Sequence, residues 1–216
     1  MSSRAPARAA ELSRPEALRR ARLLNRVTIS WNVVEAVVAL AAGVAAGSLG
    51  LVAFGLDSCV EVSGALVLAW RLSREQRTGC TQPDDRRATR ALALCFGALA
   101  AWVSVNAVRD LVQGDEAGVS VVGIVVTSLS LLTMPALARA KRRLAPVLGS
   151  RAQEREASQT RLCAMLSAVV LGGLLLNAVL GWWWADPVAA LVVAALAAVE
   201  GVRSWRADSL ADTCCA

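Results

Sequence analysis

Gly47-Ser48-Leu49-Gly50-Leu51-Val52-Ala53-Phe54-Gly55-Leu56-Asp57-Ser58-Cys59-Val60-Glu61 opens an apolar block that continues to Trp70. A block of that length matches the roughly 20 residues a helix needs to cross a bilayer core, yet it carries two carboxylates. On a helix, Asp57 and Glu61 stand i,i+4, so they share one face a turn apart. A charge at the centre of a span costs about 2.5–3.5 kcal/mol on insertion scales, so it faces a cavity or a partner. Two like carboxylates at that spacing repel unless a cation or a shared proton lies between them. The stretch therefore reads as a membrane helix with an inward-facing acidic pair.

Similar blocks lie on both sides of it. The pattern predicts an all-α integral membrane protein, a bundle of six transmembrane helices with both termini cytoplasmic. The spans fall at about 27–46, 49–70, 91–112, 118–138, 162–181 and 186–205, within a transmembrane domain of residues 26–206. Residues 1–25 form a basic cytoplasmic arm, helical from about Pro15, and residues 207–216 a short cytoplasmic tail. Gly47-Ser48, the acidic stretch Gln113-Gly114-Asp115-Glu116 and Trp182-Trp183-Trp184 mark the short turns. Residues 71–90 and 139–161 read as polar, basic loops. Asp186-Pro187 opens the last span, because Asp is a good N-cap and Pro suits the first helical turn. Of the 23 basic residues, all but Arg109 fall in the arm with the adjoining Arg26, the two basic loops and the region around the tail. The positive-inside rule places those segments in the cytoplasm and makes the number of spans even. The expected location is the cell membrane, with the first span as an uncleaved signal, since no short apolar core precedes a cleavage site.

Composition removes other classes. At 56% hydrophobic residues and a mean hydropathy of +0.52, the chain is no disordered protein, secreted disulfide scaffold or soluble enzyme. The net charge of +6 reflects topology rather than a nucleic-acid partner. The expected partners are the lipid bilayer, a divalent cation and protons, and a second copy in a homodimer. There is no histidine, so the commonest metal ligand and neutral-pH proton carrier is missing. Any metal site must use carboxylate, thiolate, amide or hydroxyl groups. Cys59, Cys95 and Cys163 lie inside apolar blocks, Cys80 in a basic loop, and Cys214-Cys215 in the tail, which is neither a disulfide framework nor a zinc ribbon. A lipid-directed membrane enzyme finds no support: the chain shows no Ser/Lys or Ser/His pair and no phosphate-binding loop.

Other polar residues sit within the spans. Glu35 shares a face with Asn32 and Thr28 in span one, and the three either line an aqueous path or serve an interhelical hydrogen bond from a protonated glutamate. Cys163, one turn before Ser167, is either a soft ligand or a small buried hydrophobe. Asn106 and Asn177 read as helix–helix hydrogen-bond formers. Thr127, Ser130 and Met134 share a face of span four, with hydroxyls expected to bond backbone carbonyls. Gly43 and Gly47 form a Gly-x-x-x-Gly that permits close helix packing.

The stretch Gly47–Glu61, with its Ser-Leu opening and acid-Ser-x-x-acid motif, resembles the second span of the cation diffusion facilitator family. Ala185-Asp186-Pro187-Val188-Ala189-Ala190-Leu191 resembles the opening of that family's sixth span, and the six-span plan agrees over about residues 25–206. The resemblance implies a divalent-cation exporter driven by proton antiport, with no enzymatic activity and no permanently bound cofactor. In that family two acids of span two meet a His-x-x-x-Asp or Asp-x-x-x-Asp pair of span five around a midplane cavity made by spans one, two, four and five. Asp57 and Glu61 match the first half. Counting back from Asp186, the second half falls at Thr160 and Ala164, neither of them acidic. The candidate metal ligands are therefore Asp57, Glu61, Glu35, Cys163, Thr160 and Asn32. Carboxylates suit Mg, Mn or Fe(II), and a thiolate tilts the choice towards Zn, Co or Cd. The family's cytoplasmic C-terminal domain finds no counterpart in the few residues after Trp205. The alternative function is a non-transporting membrane partner or metal sensor built on the same fold.

Overall fold

The computed structural model describes residues 13–78, 85–149 and 151–206. They form α1 (Arg14–Ala46), α2 (Leu49–Thr78), α3 (Asp85–Gln113), α4 (Val121–Leu148), α5 (Arg151–Leu180) and α6 (Ala185–Arg206). All six are long and apolar enough to cross a membrane. Large aliphatic side chains such as Val37, Val44, Leu132 and Val179 point outward and are exposed, as a lipid-facing surface requires. Cys80, Cys214 and Cys215 lie outside the described residues, as do residues 1–12 of the arm and the whole tail.

Local signals set the helix ends. The Ser13 backbone N–H donates to the Glu16 carboxylate at 3.1 Å, and Pro15 occupies the first turn of α1, where its missing N–H costs nothing. Gly47 ends α1 in the left-handed region at φ 64°, a conformation that glycine adopts without a Cβ penalty. Its role is the turn. Gly43 provides the close packing: a Cβ there would lie 2.8 Å from Val52 of α2. Ser120 caps α4 by accepting from the Gly123 N–H at 3.1 Å, so this helix begins three residues after the expected Gly118.

The basic segment 139–161 corrects the sequence reading. It is not a loop: α4 runs on to Leu148 and α5 begins at Arg151, with a turn at Gly149. The segment is dominated by Ala, Leu, Arg, Lys, Gln and Glu, all good helix formers, and hydropathy reports where a helix leaves the apolar layer rather than where it ends. In the same way α2 continues to Thr78 and α3 starts at Asp85.

The helices pack as three intimate pairs, α1 on α2, α4 on α5 and α3 on α6. Contacts of α1 with α4 and of α2 with α5 close α1, α2, α5 and α4 into a four-helix ring, and α3 and α6 flank it against α2 and α5. An apolar core of small and medium residues, including Ala39, Phe54, Val103, Leu166 and Val193, holds the bundle together. Trp182 and Trp184 stack at the α5–α6 turn with centroids 5.0 Å apart. At the opposite end Arg90 lies 5.8 Å above the Trp205 ring. Both placements suit aromatic girdles at the membrane surfaces.

Asp186 does more than start α6. Its buried carboxylate accepts from Ser48 Oγ at 2.6 Å and from the Gly50 N–H at 3.2 Å, so it caps the N-terminus of α2 from 138 positions away. An anionic acceptor there also complements the helix dipole. Asp186→Ala leaves a buried hydroxyl and a backbone N–H without their acceptor and is expected to destabilise the protein by about 1–3 kcal/mol. Thermal unfolding in detergent micelles reads this directly. An unchanged midpoint would contradict the cap.

Candidate functional site

The four ring helices line their interior with polar groups at helical spacing. Thr28, Asn32 and Glu35 come from α1; Asp57, Ser58 and Glu61 from α2. Ser130 and Lys141 face inward from α4, and Glu156, Thr160, Cys163 and Ser167 from α5. All are buried, with at most 5% exposure. Spacings of three and four put each set on one face of its helix, and close approach of backbones brings the faces together. At Gly64 of α2, for example, a Cβ would stand 3.0 Å from the Gln159 amide oxygen of α5.

Glu35 is the best-held acid. Its Oε1 accepts from Ser58 Oγ at 2.7 Å, and its Oε2 accepts from the Trp31 indole N–H at 2.8 Å. The Cys163 thiol lies 3.6 Å from the same Oε1. Glu35 therefore joins α1, α2 and α5 at one point. Its interhelical hydrogen bond runs from Ser58 to Glu35, so the carboxylate accepts where the sequence reading had a protonated glutamate donating.

Asp57 and Glu61 are held differently. The charged groups acting on Asp57 are carboxylates, namely Glu61, Glu35 and the more distant Glu200. Neither oxygen of Glu61 accepts a hydrogen bond, although Thr160 and Cys163 stand beside it. Both polar atoms of the Asn32 amide and the Ser130 hydroxyl are likewise buried without a hydrogen-bond partner. Buried polar atoms are normally satisfied by protein, water or an ion. The ring thus contains acceptors that its own side chains leave open. Among the described residues, however, no three of His, Cys, Asp and Glu converge tightly enough to grip a metal ion together.

Lys141 is the residue that sequence reasoning missed. It is fully buried, and its ammonium donates to the Glu156 carboxylate and to Thr160 Oγ1, each at 2.9 Å. Thr160 in turn donates to its own helix, to the Glu156 carbonyl at 3.0 Å. Thr160 therefore sits in the ring as expected, but its hydroxyl is already engaged. The field of this ion pair reaches Glu61, where Glu156 and Lys141 act with opposite sign. Two signals pointed here: Lys141 is the sole lysine among arginines, and Glu156 lies one turn before Thr160. Both were hidden by assigning 139–161 to a loop.

The transmembrane-domain model of the cation efflux proteins matches residues 26–210. The chain belongs to the cation efflux family. No curated protein matches its sequence closely. Membership makes it a multi-pass membrane protein of a transporter family rather than an enzyme, with metal cations as the implied cargo. In this cation efflux protein the structure brings Glu35, Asp57, Glu61 and Cys163 to one region of the ring, places Asn32 on the same face of α1 as Glu35, and ties Thr160 to Lys141. The remaining polar residues are structural. Thr127 donates to the Gly123 carbonyl at 2.7 Å, as expected of a hydroxyl in a span. Asn106 bonds the Trp102 carbonyl of its own helix rather than a neighbour. Asn177 reaches the Ala117 carbonyl at 2.8 Å and secures the turn before α4.

Proposed function

We propose that this protein exports a divalent metal cation in exchange for protons, through a site formed by Asp57, Glu61 and Glu35. The observation that carries the reading is the Asp57 environment: a buried carboxylate whose charged neighbours are other carboxylates. Such a cluster gains stability from a cation or from protons, and each displaces the other. Binding of a divalent cation would expel protons from the acids; release on the far side would let protons return. Rocking of the α1–α2–α4–α5 ring would alternate access to the site. The open Asn32 amide and the Cys163 thiol would be additional ligands, and a thiolate contribution would favour Zn, Co or Cd over Mn or Fe(II). The arginine-rich end of the bundle, where α1 begins and α6 ends, would face the cytoplasm.

One observation favours the other reading, a non-transporting membrane partner or metal sensor. The acid that α5 contributes, Glu156, is already neutralised by Lys141, and the acids of α1 and α2 do not close on a single point. Thermal unfolding of the purified protein with Zn, Mn, Fe(II), Co or Cd separates a cation-binding site from a partner that binds none, and flux in proteoliposomes separates an exporter from a sensor. A cation at 100 times its dissociation constant stabilises the folded state by about 2.7 kcal/mol. Stabilisation is expected from at least one of these ions, reduced in Glu35→Gln, whose amide oxygen can still accept from Trp31 while its NH2 donates to Ser58 Oγ, but which loses the charge. No stabilisation by any ion would overturn the site and favour the non-transporting reading.

A further inference from the structure

A groove of about 790 Å³ crosses α4, α5 and α6 at the arginine-rich end of the bundle. It lies on the outer face of α5, around from the face that carries Glu156, Thr160 and Cys163, and of its lining only Glu200 acts on Asp57. Its lining changes character along its length in the same sense on α4 and α5. On α4, Leu131, Pro135 and Ala138 give way to Arg139 and Arg142. On α5, which runs the other way, Arg155 and Arg161 precede Ala164, Met165 and Ala168. The α6 wall ends with Glu200 and Arg203. One half of the groove is therefore apolar and the other basic, along the axis of the bundle.

We propose that this groove holds one anionic phospholipid, its phosphate among Arg142, Arg161 and their neighbouring arginines and an acyl chain over Pro135, Met165 and Ala168. Three observations support that occupant. First, five arginines face two glutamates in the lining, and among the described residues these arginines make one ion pair, Arg203 with Glu200 at 3.6 Å. The other guanidiniums are free to grip a phosphate, which their planar fork suits. Second, the surplus positive charge repels metal cations, so the groove is no path for the cargo. Third, the cavity is far larger than a lone phosphate, and its apolar half opens beside exposed Met165 on the lipid-facing surface. A basic pocket between spans at a membrane surface has the chemistry that anionic headgroups seek.

The test uses the full chain in detergent micelles, incubated with phosphatidylglycerol or phosphatidylcholine of the same acyl chains, with bound lipid counted by native mass spectrometry. Phosphatidylglycerol is expected to be retained about 10-fold more. The preference is lost in Arg142→Gln/Arg161→Gln, is largely kept in Arg142→Lys/Arg161→Lys, and is unaffected by Arg19→Gln/Arg20→Gln in the N-terminal part of α1. Ala168→Trp, which fills the apolar half and leaves the charges alone, also lowers retention, so the proposal stays testable if the glutamine pair fails to fold. Equal retention of the two lipids overturns the proposal, as does a preference that survives Arg142→Gln/Arg161→Gln or a phosphatidylglycerol retention that Ala168→Trp leaves unchanged. Displacement of the lipid by an equal concentration of inorganic phosphate would reassign the groove to a free anion. A lipid-independent dimer that dissociates in the groove variants would reassign it to a second copy of the chain.

Discussion

Lys141→Met is expected to destabilise the protein by about 3–5 kcal/mol, and adding Glu156→Gln to restore most of the loss. The ammonium is fully buried and bonded at 2.9 Å to both Glu156 and Thr160. Removing it strands a carboxylate in a region of low dielectric, with Glu61 close enough to add repulsion. The penalty is the cost of the unpaired charge rather than the net worth of the ion pair, which desolvation largely offsets. Hence the double variant, which leaves no charge behind, is the informative one. Unfolding of the parent and the two variants in micelles gives the result. A Lys141→Met protein as stable as the parent, or a double variant no better than the single one, would show that the pair is not buried as described.

Asp57→Ala and Glu61→Ala are each expected to lower cation flux by more than about 100-fold, since loss of groups one shell out from a metal already costs 10–100-fold. The two should differ in stability. Asp57 is surrounded by acids, so its removal relieves repulsion and leaves the fold as stable or more so. Glu61 lies within reach of Lys141, so its removal is closer to neutral. A flux loss without a stability loss distinguishes a working carboxylate from one that props the bundle. Flux in both variants within a factor of a few of the parent would remove Asp57 and Glu61 from the transport path.

The sequence displayed the spans well because a bilayer imposes a one-dimensional rule: about 20 apolar residues in a row. Asp57 and Glu61 were visible for the same reason, as charges where charges are costly. What the rule could not show is where a helix continues beyond the apolar layer. Thus α4 and α5 ran unseen through residues 139–161, and with them Lys141 and Glu156. Nor does periodicity show which faces meet. That Asp186 caps α2, or that Trp31 and Ser58 both bond Glu35, follows from how the helices are arranged around one another, and no local pattern in the chain encodes it. The resemblance of Gly47–Glu61 to an acidic second span supplied the family; the α5 side, where the family pattern stops, needed coordinates.

Divalent-cation flux into proteoliposomes under an imposed pH gradient tests the central claim most directly. The panel would be Zn, Mn, Fe(II), Co, Ni, Cd and Mg, with Asp57→Ala as the matched control. The account predicts that at least one ion moves against the direction of proton flow, that its flux stops when the gradient is collapsed, and that Asp57→Ala abolishes it. Folded protein that moves none of these ions, or moves one equally well with and without the Asp57 carboxylate, would contradict it.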